Sequence, residues 1–283
     1  MSLDNAEQIA YWSGSGGAEW AALAARMDGE LDRLGVLAMD ALAPIAGAAV
    51  LDVGCGPGST TIELARRAGP SGRALGVDLS GALLEIARRR AAGSGQGNVH
   101  FVQADAQDLR AGRTFDVAFS RFGVMFFASP VAAFASLRQC LRPGGRLGFV
   151  CWQSHAANPW FGAASAAANA AADVPSSSPP ADPAGPGPFA LADPDRIHQV
   201  LGEAGWTGAR LRPEIDELVL DEAAVQERVA SVTEPGPAAG SPDAAEDAER
   251  EQAARRAREA LLAFRRDGAV RFRRAVWVVT AQA

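Results

Sequence analysis

The segment Val50-Leu51-Asp52-Val53-Gly54-Cys55-Gly56-Pro57-Gly58-Ser59-Thr60-Thr61 places an apolar strand, a glycine turn and a helix start in immediate succession. Glycines at 54, 56 and 58 let backbone amides approach a ligand closely, and the helix after them offers a positive dipole end to an anionic group. The chain is thereby directed towards an α/β sheet with a nucleotide-like pocket at the carboxyl end of its first strand. Asp52 narrows the ligand. A carboxylate beside the amide nest repels a pyrophosphate, but it accepts hydrogen bonds from an ammonium. The third glycine of a dinucleotide fingerprint is replaced by Ser59.

Two further acids fall at predicted strand ends. Ala74-Leu75-Gly76-Val77-Asp78 is a short apolar strand ending in a carboxylate, and the helix Ala82–Ala92 follows it. Asp78 is then within reach of ribose hydroxyls. Val99-His100-Phe101-Val102-Gln103-Ala104-Asp105-Ala106 forms a third strand, and Asp105 suits the amino group of an adenine while a neighbouring backbone amide meets the ring. S-adenosylmethionine fits this set: it carries a carboxylate for the amides and an ammonium for the acidic side, and it has no phosphate. Asp78 alone does not separate it from NAD, and both Asp78 and Asp105 also suit turn or helix-capping roles.

With these motifs the chain resembles the class I S-adenosylmethionine-dependent methyltransferases, over most of its length. Phe115-Asp116-Val117-Ala118-Phe119-Ser120-Arg121-Phe122 looks like that family's fourth strand, and Leu141-Arg142-Pro143-Gly144-Gly145-Arg146-Leu147 like the turn before its fifth. The likeness is strongest to the bacterial small-molecule branch that includes ubiquinone and menaquinone methyltransferases, with an aromatic start like Tyr11-Trp12. The resemblance implies a doubly wound, seven-stranded, mostly parallel Rossmann-like sheet, its last strand antiparallel between the fifth and sixth, with helical cap insertions. The cofactor-binding set expected on this basis begins with Asp52, Gly54, Cys55 and Gly56 in the loop. It continues with Asp78 and Leu79 after the second strand, Ala104, Asp105 and Ala106 after the third, and Ser120 in the fourth. Tyr11, the only tyrosine, is expected to reach the methionyl carboxylate or a substrate with its hydroxyl, and Trp12 and Trp20 are expected in packing.

Helices are expected at Ala18–Met27, Leu31–Leu42, Thr60–Ala68, Ala82–Ala92, Pro130–Cys140 and Pro194–Ala204, with late strands at Arg210–Leu220 and Arg271–Ala281. One methyltransferase domain thus covers 1–283: a helical approach (1–45), a cofactor-binding core (46–154, 191–220 and 268–283) and two cap or lid insertions (155–190 and 221–267). The first insertion holds an alanine-rich helix around Phe161–Ala172 and the Pro175–Pro188 loop; the second holds two helices separated by Pro235-Gly236-Pro237. A peripheral helical hairpin is the alternative for the second.

Methyl transfer from a sulfonium asks mainly for placement and exclusion of water, and for a base only where the acceptor must lose a proton. Of three histidines, His155 follows the fifth strand and is the candidate base; Arg121, Phe122, Trp152 and Trp160 are the candidates for holding a small-molecule acceptor. For Arg121 a structural ion pair is the competing role. Two other readings stand beside this one: an NAD-dependent oxidoreductase, and a cofactor-binding module without catalysis.

The rest of the composition is that of an ordinary enzyme. A chain of 283 residues, 48% apolar, can bury a sizeable core, and no apolar run approaches the length of a membrane span. The start lacks a signal-peptide pattern, so a cytoplasmic location is expected. A net charge of −6 gives no general attraction for nucleic acid. Arg255, Arg256, Arg258, Arg265 and Arg266 are interleaved with Glu249, Glu251 and Glu259 and read as a solvated helix face. Cys55, Cys140 and Cys151 have neither disulfide nor zinc spacing, so no metal is expected. The sequence carries no signal for an oligomeric state.

Overall fold

The structure, a computed structural model, describes residues 5–171, 185–233 and 244–283. Its strands are β1 (Ala49–Val53), β2 (Arg73–Asp78), β3 (Val99–Gln103), β4 (Phe115–Arg121), β5 (Leu141–Trp152), β6 (Thr207–Leu220), the short β7 (Arg265–Arg266) and β8 (Ala269–Gln282). Helices α1 (Ala6–Ser13), α2 (Ser15–Ala22) and α3 (Ala24–Leu42) precede the sheet; α4 (Ser59–Ala68), α5 (Gly81–Ser94) and α6 (Pro130–Cys140) connect its strands. Later come α7 (Ala163–Ala168), α8 (Pro194–Glu203), α9 (Glu222–Thr233) and α10 (Ala244–Leu262).

The strands run in the order β3-β2-β1-β4-β5-β8-β6, with β7 paired only to β8. Strand β1 is parallel to β2 and β4, β2 to β3, and β4 to β5. Strand β8 enters antiparallel beside β5, in a register from Arg146↔Gln282 to Trp152↔Val276. This is the expected doubly wound sheet with its reversed last strand. The order turns round between β1 and β4, the switch point at which ligands bind in open sheets. Strand β1 is buried at all five positions, as a central parallel strand covered on both faces must be.

Local chemistry sets the connections. Ser80 caps α5 through Leu83 N–H, Asp193 accepts from Asp195 N–H ahead of α8, and Pro130 and Pro194 open their helices at the first turn. Two expectations are corrected. The break anticipated after Met27 is absent: α3 runs through Asp28-Gly29, because Asp28 is clamped by partners from other elements. The turn expected at Leu141–Leu147 is the bulged start of β5, where Leu141 pairs with Phe115 and the register then jumps to Arg146↔Val117.

The chain divides into two compact units, 1–153 with 182–214 and 276–283, and 154–181 with 215–275. The second gathers both inserted segments about Ala168, Leu220, Val225, Val229, Ala257, Leu261, Val270 and Phe272. Within it Arg256 donates to the Ala167 and Ala168 carbonyls at the end of α7, while Arg258 and Arg255 pair with Glu222 and Glu251. Most of the Pro175–Pro188 loop and all of Pro235–Pro237 lie outside the described residues. Among the described residues no helix is long and apolar enough to cross a membrane.

Candidate active site

Gly54, Gly56 and Gly58 have φ of 65°, 53° and 84°, the left-handed region that other residues occupy only under strain. Gly54 is also fixed by crowding: a Cβ there would lie 2.8 Å from Gly123 Cα. The loops leaving β1 and β4 thus cross backbone to backbone. A Cβ on Gly56 would meet nothing within 4 Å, so the loop's outer side is open at that residue. Ser120 holds the crossing together. Its hydroxyl donates to Val53 O at 2.8 Å and accepts from Gly123 N–H at 3.1 Å, and the side chain is fully buried. The Ser120 side chain therefore shapes the loop that the cofactor is expected to meet.

Asp52 is likewise held by its neighbours. Its carboxylate is fully buried, and Oδ2 accepts from the Thr60 and Thr61 hydroxyls at 2.7 Å each, which ties β1 to the first turn of α4. Oδ1 has no hydrogen-bond partner. Burial pushes its pKa up to about 6 against those two hydrogen bonds. Cys55 also turns inward: a Cβ on Gly76 would sit 2.8 Å from its Sγ, and burial pushes the thiol well above its ordinary range. Only the backbone of Cys55 can serve a ligand. Cys140 and Cys151 are buried and their thiols are likewise pushed up by burial, so none of the three is a ready thiolate.

Asp78 anchors the loop from the second strand. Its Oδ2 accepts from Gly56 N–H at 2.8 Å and its Oδ1 from Ser80 N–H at 2.8 Å. Burial raises its pKa despite these amides. The Leu79 carbonyl accepts from Gln103 Nε2 at 2.8 Å and from the Ser13 hydroxyl at 3.3 Å, and Ala104 N–H donates to Asp78 O at 3.1 Å. Asp105 lies at the next strand end. Its Oδ1 accepts from Gln107 N–H and its Oδ2 from the side-chain amide of Asn5, both at 2.9 Å, and Ala106 is buried beside it. Asp78, Leu79, Ala104, Asp105 and Ala106 are therefore brought to one rim of the sheet, next to the glycine loop.

The N-terminal helices lie against this rim. A Cβ on Gly17 would fall 2.4 Å from Ser80 Oγ, and one on Gly16 would enter the Tyr11 ring. Trp12 packs edge-on against Tyr11, Trp20 and Phe126, at 5.1, 6.0 and 5.1 Å between ring centres. Tyr11 itself is 46% exposed, and desolvation together with the nearby Glu19 charge raises its pKa, so its hydroxyl is a donor at neutral pH.

Arg121 makes the ion pairs of its competing, structural role. Its Nη2 binds Asp28 Oδ1 at 2.7 Å and its Nη1 binds Asp32 Oδ1 at 2.7 Å, with the side chain 8% exposed. Arg90 binds the other Asp28 oxygen and donates to Pro57 O at 3.1 Å, and Ser59 Oγ donates to Asp28 Oδ1 at 2.8 Å. Burial would raise the Asp28 pKa, but Arg121, Ser59 and Arg90 outweigh it and hold it below the ordinary range. The cluster fastens α3, β4 and α5 to the end of the glycine loop. Asp28, Arg90 and Asn5 were not singled out from the sequence; an Asp-Gly pair in mid-helix was the available signal for Asp28. Phe122, at φ 62°, stacks on Trp152 with ring centres 4.4 Å apart, and both are buried.

His155 and Trp160 belong to the second unit. Trp160 stacks on Phe272 at 5.2 Å and donates its indole N–H to Arg273 O at 3.0 Å. It is part of that unit's packing. His155 opens a short 3-10 turn, with Nε2 3.2 Å from Phe161 O.

Residues 50–145 match the family described as "Methyltransferase domain". The ubiquinone/menaquinone biosynthesis C-methyltransferase UbiE of Hahella chejuensis is 36% identical over 104 residues, 36% of this chain and 42% of that protein. Aklanonic acid methyltransferase DauC of Streptomyces sp. (strain C5) is 32% identical over 127 residues, 42% of this chain and 58% of that one. In both cases the match spans less than two thirds of the relative. A crystal structure of a putative methyltransferase from Bacillus halodurans superposes with a TM-score of 0.54 and 18% identity, covering 87% of this chain and 97% of that one. The class I methyltransferase fold is shared along most of the chain, whereas the family match holds the glycine loop, Asp78 and Asp105 and stops short of Trp152 and His155.

Proposed function

We propose that this chain, a class I methyltransferase by its residues 50–145 and a relative of the ubiquinone/menaquinone C-methyltransferases, transfers a methyl group from S-adenosylmethionine to a small organic acceptor. The observation that carries the reading is the pair of carboxylates at adjacent strand ends: Asp78, anchored by the Gly56 and Ser80 amides beside the open side of Gly56, and Asp105, anchored by the Gln107 amide and the Asn5 side chain. A carboxylate offers about four acceptor positions, so each keeps capacity for ligand hydroxyls or an amino group. Asp52 and Asp78 also place negative charge beneath the loop, which favours a cationic ligand and disfavours a pyrophosphate.

When bound, the cofactor supplies a methyl group on a sulfonium sulfur that an oxygen, nitrogen or carbon nucleophile attacks in line. The residues of this chain bind and orient. The amides of Gly54 and Cys55 donate to Val77 O and that of Gly56 to Asp78, so the loop serves the methionyl ammonium through its carbonyls, and Asp78 and Leu79 serve the ribose. Ala104, Asp105 and Ala106 serve the adenine, with the Tyr11 hydroxyl donating to the carboxylate. The acceptor lies against Phe122 and Trp152, whose stack gives an apolar floor that keeps water from the transfer path. For acceptors that must lose a proton His155 is the candidate base, and it belongs to the second unit.

A methyl-transfer screen against quinone precursors, phenols and amines, read as S-adenosylhomocysteine formed, tests the activity. Turnover with one class assigns the acceptor. Cofactor binding without turnover across all three would make the chain a binding module.

A further inference from the structure

Asn5 precedes α1, where asparagine ordinarily caps a helix through its own side chain. Here it makes no such cap. Its Nδ2 donates instead to Asp105 Oδ2 at 2.9 Å, a contact spanning a hundred residues of sequence. The residue is 5% exposed, and its Oδ1 is buried with no hydrogen-bond partner among the described residues. The orientation of the amide is fixed by chemistry: the reverse would set a carbonyl oxygen against a carboxylate oxygen. A buried acceptor therefore lies next to the one carboxylate assigned to an exocyclic amine, and leaving it unpaired costs free energy.

We propose that Asn5 reads the 6-amino group of the adenine jointly with Asp105, which makes it a specificity-determining residue for adenosyl over 6-oxopurine cofactors. This rests on the cofactor assignment above. An exocyclic amine has two N–H bonds. One goes to Asp105 Oδ2, which still has a lone pair beside the Asn5 amide, and the other to Asn5 Oδ1. A 6-oxo group inverts the match, because it brings an acceptor against the Asn5 carbonyl. The Asn5 Nδ2–Asp105 bond holds both acceptors in register.

The test is a cycle of two ligands and three proteins by calorimetry: S-adenosylhomocysteine and its deaminated analogue S-inosylhomocysteine, with the wild type, Asn5→Ala and Ser13→Ala. Ser13 ties the same N-terminal segment to the rim through Leu79 O, at 3.3 Å, without facing the amine. Asn5→Ala should lose about 10-fold or more in affinity for the adenosyl ligand and about 3-fold or less for the inosyl ligand, so that discrimination narrows by about 3-fold or more, the remainder resting on Asp105. Ser13→Ala should weaken both ligands by the same factor and leave their ratio unchanged. If Asn5→Ala also lowers both equally, Asn5 is only a tether and the proposal is overturned. Failure of the wild type to bind S-adenosylhomocysteine at all would instead refute the cofactor assignment.

Discussion

The carboxyl ends of β1–β3 and of β4–β5 treat their polar and aromatic side chains in opposite ways. On the first side, Asp78 and Asp105 are held by amides and retain acceptor capacity. On the second, Arg121 is spent on Asp28 and Asp32, Ser120 on Val53 and Gly123, and Phe122 on Trp152. One side is prepared to bind in a fixed pattern. The other presents shape and apolar surface, so acceptor choice there rests on packing rather than on a residue motif.

The largest effect should come from the closed side. Asp28→Asn leaves Arg90 and Arg121 without their shared carboxylate, and breaking such a buried pair costs about 3–5 kcal/mol, read in denaturant unfolding. Because the Asp28 pKa is held low in the folded chain, its contribution is present at neutral pH and is lost as pH falls through the acid range. An unchanged midpoint would mean that the cluster is solvated and that Arg121 remains available to an acceptor.

Next comes Trp160→Ala, expected to cost about 3 kcal/mol of stability through the lost stack on Phe272. A rise in acceptor KM with unchanged stability would restore Trp160 to the acceptor and contradict the packing role.

Gly54→Ala attacks the crossing itself. A left-handed alanine costs about 1–2 kcal/mol before the Gly123 contact is counted, so S-adenosylhomocysteine affinity should fall about 100-fold by calorimetry. Asp78→Ala should weaken the same ligand by about 1.5–3 kcal/mol. The amides of Gly56 and Ser80 lose their acceptor with it, so ligand-free stability also falls.

These last two residues show what the sequence made legible. Backbone-determined features have local signatures: three glycines at fixed spacing, and acids at the ends of apolar strands. The helix bounds at α4–α6 follow from similarly local patterns, whereas the reversal of β8 is implied by the family resemblance alone. Asp52, Ser120, Arg121 and Trp160, whose contacts were not legible in the sequence, share a different property. Each is polar or aromatic and sits at or beyond a strand end, and each is claimed by a partner far away in sequence: Ser120 by Val53, Arg121 by Asp28 and Trp160 by Phe272. Asp52 is claimed by hydroxyls at the start of the next helix. Long-range pairing of this kind leaves no periodicity to read, and Asn5 on Asp105 was hidden for the same reason.

The smallest effect separates the two buried acids by sign. Asp52 has its folded pKa raised to about 6, so its contribution to stability is fully present at low pH and is lost as pH rises through about 6. Asp52→Asn should flatten stability between about pH 4 and 7, by about 1–2 kcal/mol, while the Asp28-dependent loss at lower pH remains. A profile that Asp52→Asn leaves untouched would place the titration elsewhere.

The contrast depends above all on the ligand that the open side accepts. Calorimetry of the whole chain with S-adenosylhomocysteine and, separately, NAD decides it: the account predicts binding of the former at about micromolar affinity, as for a largely pre-formed pocket, and none of the latter. Binding of NAD without binding of S-adenosylhomocysteine would contradict it.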